Sequence, residues 1–217
     1  MKEIIDGIVC QENYKNSEYK IMWILKEGNV ADEHKDYDRN ICQEFNNDEH
    51  KANALSIATF RKLIYATYGI LHPEVKWKDV PFANAEAYEV IKHIAYVNIN
   101  KCPGSSQSKD SLIFKAYTEN KEKLLSQIYN CSPDIIIFGG TMKYFDSYDM
   151  KNIGWNISDN KKKTGTTAFY STKETKISPL RLCVDAYHPA YSRISNEEYW
   201  KEIKLAIQMW KDEIQEN

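Results

Sequence analysis

Residues that build loops and linkers are scarce in this chain: of 217 residues, only eight are Gly and six are Pro. With 42% hydrophobic and 28% charged residues, that scarcity excludes a collagen-like, low-complexity or disordered protein. Long apolar runs are missing as well. Ile21 to Leu25 and Ile135 to Phe138 are strand-length, whereas about 20 apolar residues are needed to cross a bilayer. The five Cys, at positions 10, 42, 102, 131 and 183, are odd in number and contain no Cys-x-x-Cys pair. A disulfide framework and a zinc ribbon are therefore poor readings. The opening Met1-Lys2-Glu3-Ile4-Ile5-Asp6 puts acids where a signal peptide needs an apolar stretch. The expectation is a cytoplasmic protein without a membrane partner.

Charge of one sign is lacking too. A net charge of −2 is not that of a generic polyanion binder. Only four of the 29 basic residues are Arg, so phosphate contacts would fall mostly to the point charges of Lys. The average hides a gradient. Residues 32 to 49 are acid-rich, while Lys151 to Arg181 holds seven basic residues against Asp159 and Glu174. Within that stretch Lys161-Lys162-Lys163 reads either as a solvated loop tip or as a grip on phosphates.

What is present is an alternation of strand and helix signals. Lys20 to Leu25 is a short apolar run ending at the turn signal Lys26-Glu27-Gly28-Asn29. Residues 30 to 50 have no clean period and read as a long functional loop or lid. Ala52 to Tyr68 has helical spacing, with Gly69 as the expected stop. Strands are expected at His93 to Ile99, Asp134 to Phe138 and around Leu180 to Val184, and helices at Tyr117 to Tyr129 and Asn196 to Glu213. The alternation predicts one α/β domain over 1–217, three layers deep, with a central, mainly parallel four-stranded sheet. In such sheets ligands bind beyond the C-terminal ends of the strands.

Those strand exits carry Glu27, the segment Asn98-Ile99-Asn100-Lys101-Cys102-Pro103, the pair Gly139-Gly140, and Tyr187-His188-Pro189-Ala190-Tyr191-Ser192-Arg193. Singly, each has a plain explanation. Glu27 can be a surface acid in a turn, Asn98 a backbone-bonding amide, His188 a turn histidine, and the glycine pair a site of close packing. A carboxylate, an amide and an imidazole on one sheet edge also make a candidate site. No Gly-x-Gly-x-x-Gly or P-loop pattern is present, which argues against an enzyme acting on free nucleotides.

In order and spacing over residues 20 to 210, these segments and Trp200 resemble the uracil-DNA glycosylase superfamily, in particular its bacterial and archaeal branch. The resemblance implies a DNA glycosylase that flips uracil or a modified pyrimidine from DNA and hydrolyses its N-glycosidic bond. Carried over by position, His188 would donate to the carbonyl of the departing base. Asn98 would read the base edge, and Glu27 would orient water and face the sugar cation. Gly28 and Asn29 complete that first, poorly matching motif beside the base, and Tyr37 or Phe45 would stack on it or simply pack. Lys26, Lys101, Ser105 and Ser106, with the loop Tyr191-Ser192-Arg193 and Lys161, Lys162 and Lys163, would contact DNA. Iron–sulfur relatives need four Cys thiolates, but only Cys102 stands at a recognisable position, so no cofactor is expected. The acidic stretch after the first motif implies a remodelled pocket wall that would admit a pyrimidine bulkier than uracil. The expected form is a monomer on DNA, and the alternative is a DNA binder that keeps the fold without the chemistry.

Overall fold

The protein is described by a computed structural model covering residues 3–29, 39–47, 51–104, 108–173 and 180–216, with backbone alone at 29, 51–53 and 216. In chain order the strands are β1 (Ile4–Ile5), β2 (Gly7–Ile8), β3 (Ile21–Asn29), β4 (Arg39–Asn40), β5 (Ile94–Gly104), β6 (Ile135–Gly139), β7 (Lys162–Thr164), β8 (Thr167–Ser171) and β9 (Leu182–Ala186). The helices are α1 (Gln11–Asn16), α2 (Ile41–Asn46), α3 (Lys51–Ser56), α4 (Ala58–Leu71), α5 (Ala85–Glu89), α6 (Asp110–Cys131), α7 (Ser147–Asn152) and α8 (Asn196–Glu216).

The main sheet has the order β2-β5-β3-β6-β9-β8-β7. Its four middle strands, β5, β3, β6 and β9, are parallel neighbours, and they are the four strands expected from the apolar runs. The sheet is nevertheless seven-stranded and mixed, not four-stranded. β2 pairs antiparallel with β5 at one edge, and the β7–β8 hairpin pairs antiparallel with β9 at the other. These three strands were missed because they are short and, in β7, read as a basic loop.

Alternation along the parallel strands sorts their side chains into two cores. Ile21, Trp23 and Leu25 face one with Ile94, Tyr96, Ile135, Ile137 and Val184, under α4 and α8. Met22 and Ile24 face the other with Val97, Ile136, Phe138 and Cys183, under α6. Strands buried on both faces read as unbroken apolar runs, which is why these were legible. Trp23 is fully enclosed, its indole N–H donating to Thr67 Oγ1 at 3.0 Å.

The expected helix from Ala52 to Tyr68 is two helices, α3 and α4, interrupted at Ile57. Gly69 does not stop α4, which runs on to Leu71 before Pro73. A Cβ at Gly69 would lie 2.2 Å from the indole nitrogen of Trp200, so this glycine seats the α8 tryptophan against α4. Of the expected lid, residues 39–40 form β4 and 41–46 form α2. The rest of it lies mainly outside the described residues.

Candidate functional site

The chain leaves the C-terminal ends of β3 and β6 in opposite directions, β3 leading to β5 on one side and β6 to β9 on the other. A crevice is expected beyond such a switch point. Here it is a cavity of about 490 Å³, reached by Lys26 from β3, Gly140 after β6, and Asp185 to His188 at the end of β9. Lys143, Lys161, Lys163, Thr166, Ala168 and Tyr191 complete its wall. Thr141, wholly buried, ties β6 to β3 beneath it by donating to the Ile24 carbonyl at 2.7 Å.

The loop that carries His188 is fixed from below. Gly140 has φ +70°, a conformation that favours glycine, and its N–H donates to the Ala186 carbonyl at 2.7 Å. A Cβ on Gly139 would meet Leu25 at 2.4 Å and Pro189 at 3.0 Å. The glycine pair therefore lets the His188 loop fold back over the end of β6. From α4, the buried Lys62 ammonium donates to the carbonyls of Tyr191 at 2.6 Å and Ile194 at 2.5 Å. The Tyr199 hydroxyl on α8 donates to the Tyr187 carbonyl at 2.9 Å. Tyr187 and Tyr191 stack at 4.6 Å, with Tyr187 half exposed at the cavity mouth.

His188 Nδ1 accepts the Ala190 N–H at 3.2 Å, which leaves Nε2 to carry the ring proton. Burial, helped by the charge of Lys26, pushes the imidazole down to about 4, so at neutral pH it is an uncharged donor. Four lysines and one acid line the cavity with it, and two of those lysines, Lys26 and Lys143, are also ion-paired with Asp110 just outside the lining. The lining acid, Asp185, is held above its ordinary value by burial, partly offset by Lys161. The cavity can hold an anion and donate a hydrogen bond to it.

The residues singled out in the sequence divide among several surroundings. His188, Lys26, Lys161, Lys163 and Tyr191 line the cavity, and Ser192 and Arg193 are exposed on the His188 loop. The lysine triplet is no loop tip. It enters β7, whose alternation turns Lys161 and Lys163 to the cavity and Lys162 to an ion pair with Glu213 of α8. Lys162 is thus committed to the hairpin–helix contact. Lys101 is no DNA contact either: it is 2% exposed, with its ammonium 2.7 Å from both Asp6 Oδ1 and Gln127 Oε1. Burial lowers its proton affinity, and the Asp6 carboxylate partly restores it.

Glu27 is not among the residues lining the cavity. Its carboxylate accepts from Asn100 Nδ2 at 3.0 Å and Ser108 Oγ at 2.6 Å, over Gly104, where a Cβ would lie 2.1 Å from the carboxyl carbon. Asn98 lies on the α4 side of β5, fully buried, and neither atom of its amide has a hydrogen-bond partner among the described residues. Its one polar contact of note is a loose hydrogen-bonding interaction with the Tyr96 hydroxyl that falls short of good geometry. Phe45 is 3% exposed and packs edge-on against Phe60 and Tyr96, so it is a core ring and not a stacking platform. Gly28 packs toward Ile4 and Ile41, and Asn29 ends β3. Tyr37, Ser105 and Ser106 lie outside the described residues. Cys102 is half buried, its N–H bonded to Asn100 Oδ1 at 3.1 Å. Among the described residues no three His, Cys, Asp or Glu side chains are grouped to hold a metal ion, and no helix is long and apolar enough to cross a membrane.

Sequence reasoning missed Asp185, Lys143 and Lys62. Asp185 carried a usable signal, since it interrupts the apolar run of a strand at its C-terminal end. Lys62 and Lys143 carried none, because nothing separates them in sequence from the other lysines. Neither a scan against known protein-family models nor a search of curated proteins finds a match to this chain.

Proposed function

We propose that this protein is a DNA glycosylase that draws a uracil or modified pyrimidine out of DNA and hydrolyses its N-glycosidic bond. The observation that carries the reading is the uncharged His188, its Nε2–H without a partner among the described residues, inside a cavity walled by Lys26, Lys143, Lys161 and Lys163. A base leaving as an anion needs a fixed donor at its carbonyl oxygen, and a neutral imidazole supplies one without a prior proton transfer. The lysines hold the flanking phosphates, joined by Ser192 and Arg193 on the exposed loop. The cavity volume is within the roughly 300–1,000 Å³ of small-molecule sites, and Tyr187 and Tyr191 offer ring faces at its mouth.

Two roles are less direct. The amide of Asn98, which has no well-formed hydrogen bond among the described residues, is a donor–acceptor pair of the kind that reads a base edge, and a buried amide so poorly satisfied calls for a function. Asn98 is fully buried, so reaching it requires the residues packed around it to part. The carboxylate that balances the sugar cation is Glu27 by the family resemblance and Asp185 by its position on the cavity wall. One experiment decides the main reading: duplex and single-stranded oligonucleotides carrying uracil, mismatches or hypermodified pyrimidines are incubated with the protein, and abasic sites are scored. Abasic sites with any of these substrates support it, and DNA binding without them favours the second reading, a non-cleaving DNA binder. That alternative draws on one fact: neither Glu27 nor Asn98 lines the cavity with His188.

A further inference from the structure

Two of the cavity lysines are not idle. Lys26 Nζ donates to Asp110 Oδ1 at 3.2 Å, and Lys143 donates to Asp110 Oδ2. The Tyr144 hydroxyl adds a third donor at 2.7 Å to Oδ1. Three donors from β3 and the 142–144 turn thus converge on one carboxylate, that of the first residue of the 22-residue helix α6. Asp110 itself is 58% exposed, so no packing requires it to be there. A carboxylate at a helix N-terminus, gripped by two ammonium groups and a hydroxyl, has the shape and charge of a bound phosphate oxyanion.

We infer that Lys26, Lys143 and Tyr144 form a phosphate-binding site, and that Asp110 occupies it as an internal competitor that a nucleic-acid phosphate must displace. The inference rests on the nucleic-acid reading above for the identity of the ligand, but the cradle needs only an oxyanion. Exposed ion pairs are weak and screened by salt, so displacement of Asp110 costs little. The carboxylate is held well below the ordinary range by its three donors, and so stays a charged competitor at every physiological pH. The consequence is discrimination. A lone phosphate competes poorly with an intramolecular carboxylate, whereas a polyanion anchored at Lys161 and Lys163 delivers its next phosphate at high effective concentration.

The test compares Asp110→Asn with Glu122→Gln, the same charge change on an exposed residue of α6 12 positions away, or about 18 Å along the helix. Binding of a fluorescent single-stranded oligonucleotide is measured from low to moderate salt, with inorganic pyrophosphate titrated in parallel. Asp110→Asn should tighten oligonucleotide binding about five- to ten-fold at low salt and steepen the salt slope by about 0.7, one further phosphate neutralised. Glu122→Gln should do much less, and adding Lys143→Met to Asp110→Asn should erase the gain. Equal effects of the two single variants would overturn the inference. If oligonucleotides bind neither the wild type nor Asp110→Asn, but pyrophosphate binds the variant more tightly, the oxyanion cradle stands and the nucleic-acid reading falls.

Discussion

The two edges of the sheet each bring lysine and aspartate together, with opposite results. At the β2–β5 edge, Lys101 and Asp6 are 2% and 1% exposed. Asp6 also accepts the Asn98 backbone N–H at 2.7 Å and Gln127 Nε2 at 3.0 Å. At the β9–β8–β7 edge, Lys161 and Lys163 stand exposed around the cavity with the half-buried Asp185. In the first case both charges are spent on holding the edge strand to α6. In the second neither lysine makes a hydrogen bond or ion pair among the described residues, and Lys161 only lies over the Tyr170 ring. Burial, not residue type, decides whether a lysine is structural or available, because a buried ion left without its partner is far costlier than an exposed one.

The sharpest break of this comparison is Asp6→Ala, which strands the Lys101 ammonium inside the fold. We expect a loss of about 3–5 kcal/mol in urea unfolding at neutral pH. A small loss would mean the sealed edge is as tolerant as the open one.

His188→Ala belongs to the open edge and should do the reverse, leaving the fold intact while slowing single-turnover cleavage by roughly 10²–10³. DNA affinity should hardly move, since this donor acts mainly on the charge that develops in the transition state. Cleavage at the wild-type rate would remove His188 from the chemistry.

The same histidine gives a pH signature. Its folded value of about 4 lies below its ordinary 6.5, so between them the unfolded chain binds more protons. Its contribution to stability is complete above about pH 6.5 and is lost as the pH falls towards 4. The stability difference between wild type and His188→Ala should therefore shift against the wild type over that window. A constant difference from pH 7 to 4 would mean the imidazole is not desolvated.

The finest test lies within one strand. Lys163→Gln should leave the thermal midpoint unchanged and make the salt slope of DNA binding shallower by about 0.7–0.9. Lys162→Gln, which loosens the Glu213 contact, should lower the midpoint and leave the slope alone. If both lysines change the slope equally, the alternation of β7 does not sort them.

The parallel core was legible because Ile21 to Leu25 and Ile135 to Phe138 are buried on both faces, and such strands announce themselves as apolar runs. The helix break at Ile57 and the role of Gly69 were not, since helical spacing continues across both and only the Trp200 ring explains the glycine. At the site, His188 was found through its strand-exit position, but its surroundings were misjudged. For Phe45 the sequence left stacking and packing both open, and Lys101 read as a DNA contact, because an aromatic or a lysine near a motif reads the same whether it faces solvent or core.

By itself the sequence determined the layer architecture, the sheet's four parallel strands and the strand ends beyond which the His188 cavity lies. These follow from periodicity and from turn residues, which act within a few positions along the chain. Only the tertiary structure decided which charges are free. Lys101 meets Gln127, Lys162 meets Glu213 and Lys26 meets Asp110 across 26, 51 and 84 positions, respectively. Electrostatics and burial depend on distance through space, and no local pattern encodes the partner that arrives from elsewhere in the chain.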